Sequence, residues 1–192
     1  MATTEADRLR QFAITRRLEA AGFRAWPATS THYDGTWAVR LTTSFPAKRL
    51  NSVNPLDPSD DRDIEGRIAR ARAHFAAAGR ELIFRQSPLA PPALKAHLDA
   101  EGWESFGESV VFTADLATLD LSDALDRIPI RDAERYLDAS LRVHERPEEL
   151  RTGLAEVLAS IRPPAAYFVR EDRDGRPLSL IHISEPTRLR RI

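Results

Sequence analysis

The stretch DGTWAVRLTTSFPAKRLNSVNP, Asp34 to Pro55, decides how the rest of the chain is read. Trp37, Val39 and Leu41 fall on one face of an extended segment, and Ala38, Arg40 and Thr42 on the other. That period of two predicts a half-buried strand. Phe45-Pro46 interrupts it, because proline brings no N–H to a ladder. Lys48 to Val53 is then the second arm of a predicted hairpin, with Asn54-Pro55 closing it. Polar residues crowd this arm. Arg49, Asn51 and Asn54 are therefore the candidates for lining a substrate groove. The competing reading is that they satisfy backbone groups at a strand end.

Upstream, residues 4–21 read as a helix. Thr3 or Thr4 is placed to cap it, and Glu5 and Asp7 sit near the positive end of its dipole. Leu9, Phe12, Ile14 and Leu18 are expected on its apolar side, and Gly22 is expected to stop it. Trp26-Pro27 then opens an extended linker into the hairpin. Downstream, an acidic, proline-rich loop leads to a helix over about 63–78, with Ile64, Ile68, Ala71 and Phe75 as its buried stripe. ELIFRQ, Glu81 to Gln86, is a predicted strand. Pro91-Pro92 opens a helix that Gly102 ends. Glu108 to Leu116 is a further predicted strand, with Val110 and Phe112 on one face. Asp115 to Ile130 reads as a connector. Helices follow over about 132–144 and 147–161, the second with Leu150, Leu154, Val157 and Leu158 inward. Then come a strand over 166–170, a turn at Asp172 to Pro177, and a new strand from Leu178. Helices and strands in this order predict an α/β fold.

Composition narrows the function classes. The 192 residues carry 28 basic and 29 acidic side chains, a net charge of -1, so neither nucleic acid nor an anionic membrane surface is an expected partner. There is no cysteine, which removes disulfides and thiolate metal sites and fits a reducing, cytoplasmic compartment. No apolar run approaches the roughly 20 residues of a membrane helix. His32, His74, His97, His144 and His182 form no H-E-x-x-H pattern, and no metal site is expected. Trp37 is expected in the core, Arg67 to Arg72 on a solvated helix face, and Asp61 to Arg67 as a helix cap. Tyr167 is expected as a strand residue.

Trp37, Arg40 and the run Lys48, Arg49, Asn51, Ser52, Val53, Asn54 and Pro55 resemble a W…R…KRxNSVNP hairpin of two-lobed bacterial members of the GNAT superfamily of acyl-CoA-dependent N-acyltransferases. The segments Ile83 to Trp103 and Tyr167 to Leu178 add to the likeness, which spans roughly residues 10–178. The resemblance implies a GNAT-like mixed sheet flanked by helices, followed by an incomplete second GNAT lobe. It divides the chain into a degenerate lobe over 1–116, a connector over 117–131, the start of a catalytic lobe over 132–178 and a non-native tail over 179–192. It implies transfer of acetyl from acetyl-CoA to an amine, carried by a small molecule or a peptide, by direct attack on the thioester. A backbone N–H of the splayed central strand would steady the oxyanion. It assigns no catalytic residue here.

The family's pyrophosphate sits on a Q/R-x-x-G-x-G/A loop, where glycines and a helix N-terminus make an anion site. No such string occurs in the chain. The cofactor-binding residues are therefore absent, no acetyl-CoA is expected on this chain, and this copy is expected to be inactive. LSLIHISEPTRLRRI resembles translated read-through of a sequencing adapter, which reads as a gene model cut near Leu178. An uncovered apolar face around Leu150 and Val157 is then expected. The alternative is a non-catalytic ligand-binding or interaction module on a GNAT-like lobe.

Overall fold

A computed structural model describes residues 4–120, 128–130, 132–162 and 164–184. The chain is mixed α/β. Helix α1 (Glu5–Ala25) precedes strands β1 (Ser30–Asp34), β2 (Trp37–Leu41) and β3 (Ser52–Pro55), which form an antiparallel sheet in that order. Helices α2 (Ile64–Ala77) and α3 (Pro92–Ala100) follow. Further on, α4 (Ala133–Val143) and α5 (Arg151–Ser160) lead into the antiparallel pair β4 (Ala165–Glu171) and β5 (Pro177–Ser184). Among the described residues no helix is long and apolar enough to cross a membrane. Part of the connector, 121–127 and 131, and the tail beyond Ser184 lie outside the described residues.

The central strand is buried on both faces, not one. Trp37, Val39 and Leu41 meet the stripe of Ile68, Ala71 and Phe75 on α2, and Leu94 and Leu98 on α3. The opposite face carries Arg40, only 1% exposed. Its guanidinium donates to the Arg49 carbonyl at 2.9 Å and to the Trp26 carbonyl, and lies 4.3 Å over the Phe23 ring. Burial first, then the neighbouring Arg85 charge, pulls Arg40 down to about 10, so it stays cationic at neutral pH. A charge in mid-strand looked like an exposed face in the sequence. Here the 22–26 segment and the 47–49 turn cover it and supply its acceptors.

The hairpin differs from the sequence reading. The first partner of β2 is β1, reached through a turn at Gly35-Thr36, in what read as a linker. STHYD gives no apolar signal because β1 is an edge strand with most of its side chains exposed. The second partner is only Ser52 to Pro55, since Lys48 to Leu50 closes a 3₁₀ turn. The segment ELIFRQ contributes a single parallel bridge, Val53 to Phe84, with Val53 N–H on the Ile83 carbonyl at 2.8 Å and Arg85 N–H on the Val53 carbonyl at 2.9 Å. Glu108 to Leu116 is not a strand: Val110 and Phe112 are 72% and 89% exposed. Alternation makes a strand only where a neighbouring edge pairs with it; the outer edge of β3 serves Ile83 to Arg85, and no described strand pairs with this segment.

Helix α1 begins as expected, with Thr4 and Asp7 exchanging capping bonds. It runs past Gly22 to Ala25, where Trp26 N–H bonds the Gly22 carbonyl at 3.0 Å. Its expected apolar side is not one side. At 100° per residue, Leu9 and Phe12 point away from Ile14 and Leu18. Leu9, Ile14 and Leu18 are exposed, and the one buried residue of the helix is Glu19, paired with Arg85. Helices α2 and α3 stop where the sequence places them, at Gly79 and Gly102 with φ of 64° and 74°.

A second apolar cluster joins Tyr136, Leu137 and Leu141 of α4 with Leu154, Val157 and Leu158 of α5. The expected bare face around Leu150 and Val157 is covered. Phe45 and Leu50, from the segment between β2 and β3, insert into it, and β4 and β5 pack beside it. Val157 is buried and Leu150 half-buried. Thus one interrupted hairpin supplies side chains to both clusters: β2 and β3 to the first, the 45–50 segment to the second.

Candidate functional site

The polar string of the hairpin divides into two environments. Asn51 is buried, and its side chain is a staple. Its Oδ1 accepts from Thr42 N–H at 2.8 Å, and its Nδ2 donates to the carbonyls of Phe45 and Ala47 at 2.8 and 3.0 Å. Those bonds hold the 42–47 excursion in one shape. Asn54 is buried in β3, with Nδ2 donating to the Ser52 carbonyl at 3.0 Å and the Ala38 carbonyl at 3.3 Å. Its Oδ1 has no hydrogen-bond partner among the described residues. Arg49 is different. Its carbonyl anchors Arg40, while its side chain is exposed at the rim of a cavity. The fold therefore separates Arg49 from the two asparagines. Replacing Asn51 with alanine strands three backbone groups, and a loss of about 2 kcal/mol is expected, read from the urea midpoint.

Sequence reasoning missed a buried ion pair beneath the β1–β2 turn. Asp60 and Arg67 are 6% and 4% exposed, with Arg67 Nη2 at 3.1 Å from Asp60 Oδ2. The same carboxylate oxygen accepts from Thr36 N–H at 2.9 Å and Thr36 Oγ1 at 2.8 Å. Burial pushes the Asp60 carboxyl up, but the two Thr36 bonds and Arg67 outweigh it and leave it at about 2. Arg67 also donates to the Asp34 carbonyl and lies 3.9 Å over the Trp37 ring. Arg67 is thus not part of a solvated face. The signal was in the spacing: residue 67 falls between 64, 68 and 71 on the stripe that faces the sheet. Asp63 does take the N-cap position of α2, at φ 49°, but its side chain makes no capping bond. It pairs instead with Arg70 at 3.0 Å, and Arg70 also holds Asp34 at 2.9 Å. This network fixes a turn and exposes no reactive group.

The cavity is the site that the fold leaves open. It encloses about 720 Å³ between the 45–50 segment, α4, the start of α5 and β5. Trp26, Phe45, Tyr136, Leu154 and Leu180 give it apolar walls. Lys48, Arg49 and Arg146 line it, with His144 and His182, and among the described residues no carboxylate does. Burial pushes the Tyr136 phenol up to about 12, helped by Tyr167, so it is a neutral hydroxyl at physiological pH. The Tyr136 and Tyr167 rings lie 4.7 Å apart, and Tyr167 belongs to β4. Burial lowers the His182 pKa, with Arg49 adding to the effect against a backbone bond to Ala25, so the neutral imidazole is favoured. Lys48 Nζ sits 3.9 Å over the Phe106 ring and the Arg146 guanidinium 4.7 Å over Phe45. The cavity was not legible in the sequence, because its walls come from four separate stretches of the chain, Trp26, 45–50, 136–154 and 180–182.

The remaining histidines lie away from the cavity. His32 and His74 meet edge to face at 4.7 Å. Among the described residues there is no group of three or more His, Asp or Glu side chains arranged to hold a metal ion. Trp37 is core, as the sequence placed it. No family model, curated protein or solved structure matches the chain.

Proposed function

We propose that this chain is the front part of a two-lobed GNAT-type N-acetyltransferase, with a first lobe over 1–116, a connector over 117–131 and the opening of a second lobe over 132–178. The observation that supports it most is the crossover after the SVNP strand. Strand β3 is followed by α2, and the chain returns parallel to β3 at one bridge, Val53 to Phe84, and then parts from it. A parallel neighbour that touches at one bridge supports the splayed sheet that the resemblance implies. The order α4, α5, β4, β5 also repeats the helix-then-hairpin opening of α1, β1, β2.

The parent would transfer acetyl from acetyl-CoA to an amine borne by a small molecule or a peptide, with Arg49 at the acceptor groove. Asn51 and Asn54 would act there by shaping the groove, since both are buried. The residues present do not fit the cofactor. No Q/R-x-x-G-x-G/A string exists in the 192 residues. At the nearest alternative, the start of α2, the carboxylate of Asp63 would meet a pyrophosphate with like charge. No step through acetyl-CoA is assigned to this chain.

The test compares two proteins for amine-dependent thiol release from acetyl-CoA: these 192 residues, and the product of the source gene read in its natural frame past Leu178. The expected result is no saturable turnover by the first, and acetyl-CoA binding with turnover by the second. Saturable turnover by the 192-residue protein, or failure of the longer product to bind acetyl-CoA, would overturn the proposal.

A further inference from the structure

We infer that the cavity beside the 45–50 segment binds a small molecule that joins an anionic head group, a carboxylate or a phosphate, to an apolar body. The charge around it is one-sided. Elsewhere in this protein arginines find carboxylates: Arg67 with Asp60, Arg70 with Asp34 and Asp63, Arg135 with Glu171. With 29 acidic residues in the chain, partners are plentiful. Yet Lys48, Arg49 and Arg146 converge on the cavity without one, and no Asp or Glu among the described residues lines it. Lys48 and Arg146 are held by aromatic rings instead, which leaves their charge uncancelled. Cations of one sign beside low-dielectric walls focus a positive potential into the space they enclose.

The main chain beneath these cations is fixed before any ligand arrives. Arg49 lies within the 3₁₀ turn, and its carbonyl is bound by the buried Arg40 guanidinium at 2.9 Å. Arg146 follows Glu145, whose φ of 50° turns the chain out of α4, and Arg146 N–H bonds the Leu141 carbonyl at 2.8 Å. Such preorganisation reduces the ordering cost of binding. A volume of about 720 Å³ exceeds what a bare oxyanion fills, and it falls in the range of small-molecule sites. Trp26, Phe45, Tyr136 and Leu154 offer that surplus space to an apolar group. The inference concerns the 192 residues as they stand, since Leu180, Ile181 and His182 of the wall fall in the stretch that the acyl-transfer reading treats as non-native, and it needs neither cofactor nor turnover.

Titration calorimetry on the whole chain tests it with four probes: 4-phenylbutyrate, 4-phenylbutyl phosphate, the neutral 4-phenylbutyramide and inorganic phosphate. At least one of the two phenylbutyl anions is expected to bind about tenfold or more tightly than the amide, and the tighter one identifies the head group. Arg49→Gln is expected to weaken that anion about tenfold and to leave the amide unchanged. Because the Arg49 side chain is exposed, the variant is expected to keep the parent unfolding midpoint. Arg146→Gln should weaken the same anion. Equal binding of anion and amide overturns the inference, as does wild-type affinity in Arg49→Gln. So does inorganic phosphate binding as tightly as the phenylbutyl ester, or the absence of binding by both phenylbutyl anions.

Discussion

Replacing Asp60 with alanine is expected to destabilise the protein by about 4 kcal/mol, because it leaves Arg67 buried without its countercharge. The loss is larger than that of a surface pair, since both side chains are almost wholly enclosed and Thr36 loses two acceptor contacts with them. The double variant Asp60→Ala with Arg67→Met should recover part of the loss, as removing both charges relieves the desolvation that one alone suffers. The pH dependence follows from the lowered carboxyl. Its folded value of about 2 lies below the ordinary 3.8. The pair's contribution is therefore complete above the unfolded value and is lost as pH falls through the folded one. Urea midpoints at neutral pH, and thermal midpoints from pH 5 down to 2, measure both effects. A loss under about 1 kcal/mol in Asp60→Ala would show that the pair is incidental to the turn.

Gly153→Ala is expected to cost about 3 kcal/mol, against the direction of helix propensity. In an isolated helix alanine is favoured over glycine by about 1 kcal/mol. Here a Cβ on residue 153 would overlap the main-chain carbonyl of Ser44. That backbone cannot retreat cheaply. Asn51 pins the segment through Thr42, Phe45 and Ala47, and the Phe45 ring is buried between α4 and α5. Packing strain therefore outweighs propensity. The variant should unfold at lower urea and should also open the cavity, because Phe45 and Leu154 form its floor. A Gly153→Ala protein more stable than the parent would mean that α5 does not rest on the 42–47 segment.

The elements that the sequence disclosed are those with a buried stripe at one period or with clear end signals. The α2 stripe, the Pro-opened α3, α4 with its Asp132 cap, and the β4–β5 hairpin all stand close to their expected bounds. The failures have physical causes. β1 is a polar edge strand and carries no apolar alternation. Glu108 to Leu116 alternates but pairs with no strand among the described residues. Arg40 and Arg67 read as surface charges, yet both are buried, because their acceptors come from residues distant in the chain. The candidate site was half legible. Arg49 was named from its place on the hairpin, and it does reach the cavity rim. Its partner Arg146 lies 97 positions away, and only the packing of Phe45 against α4 brings the two to one cavity.

The acyltransferase reading is tested most directly by the source DNA across the codons for Asp174 to Ile192. The expected result is a frame that leaves LSLIHISEPTRLRRI near Leu178 and continues through a strand into a Q/R-x-x-G-x-G/A loop. A frame that runs unchanged through Ile192 to a stop would contradict it.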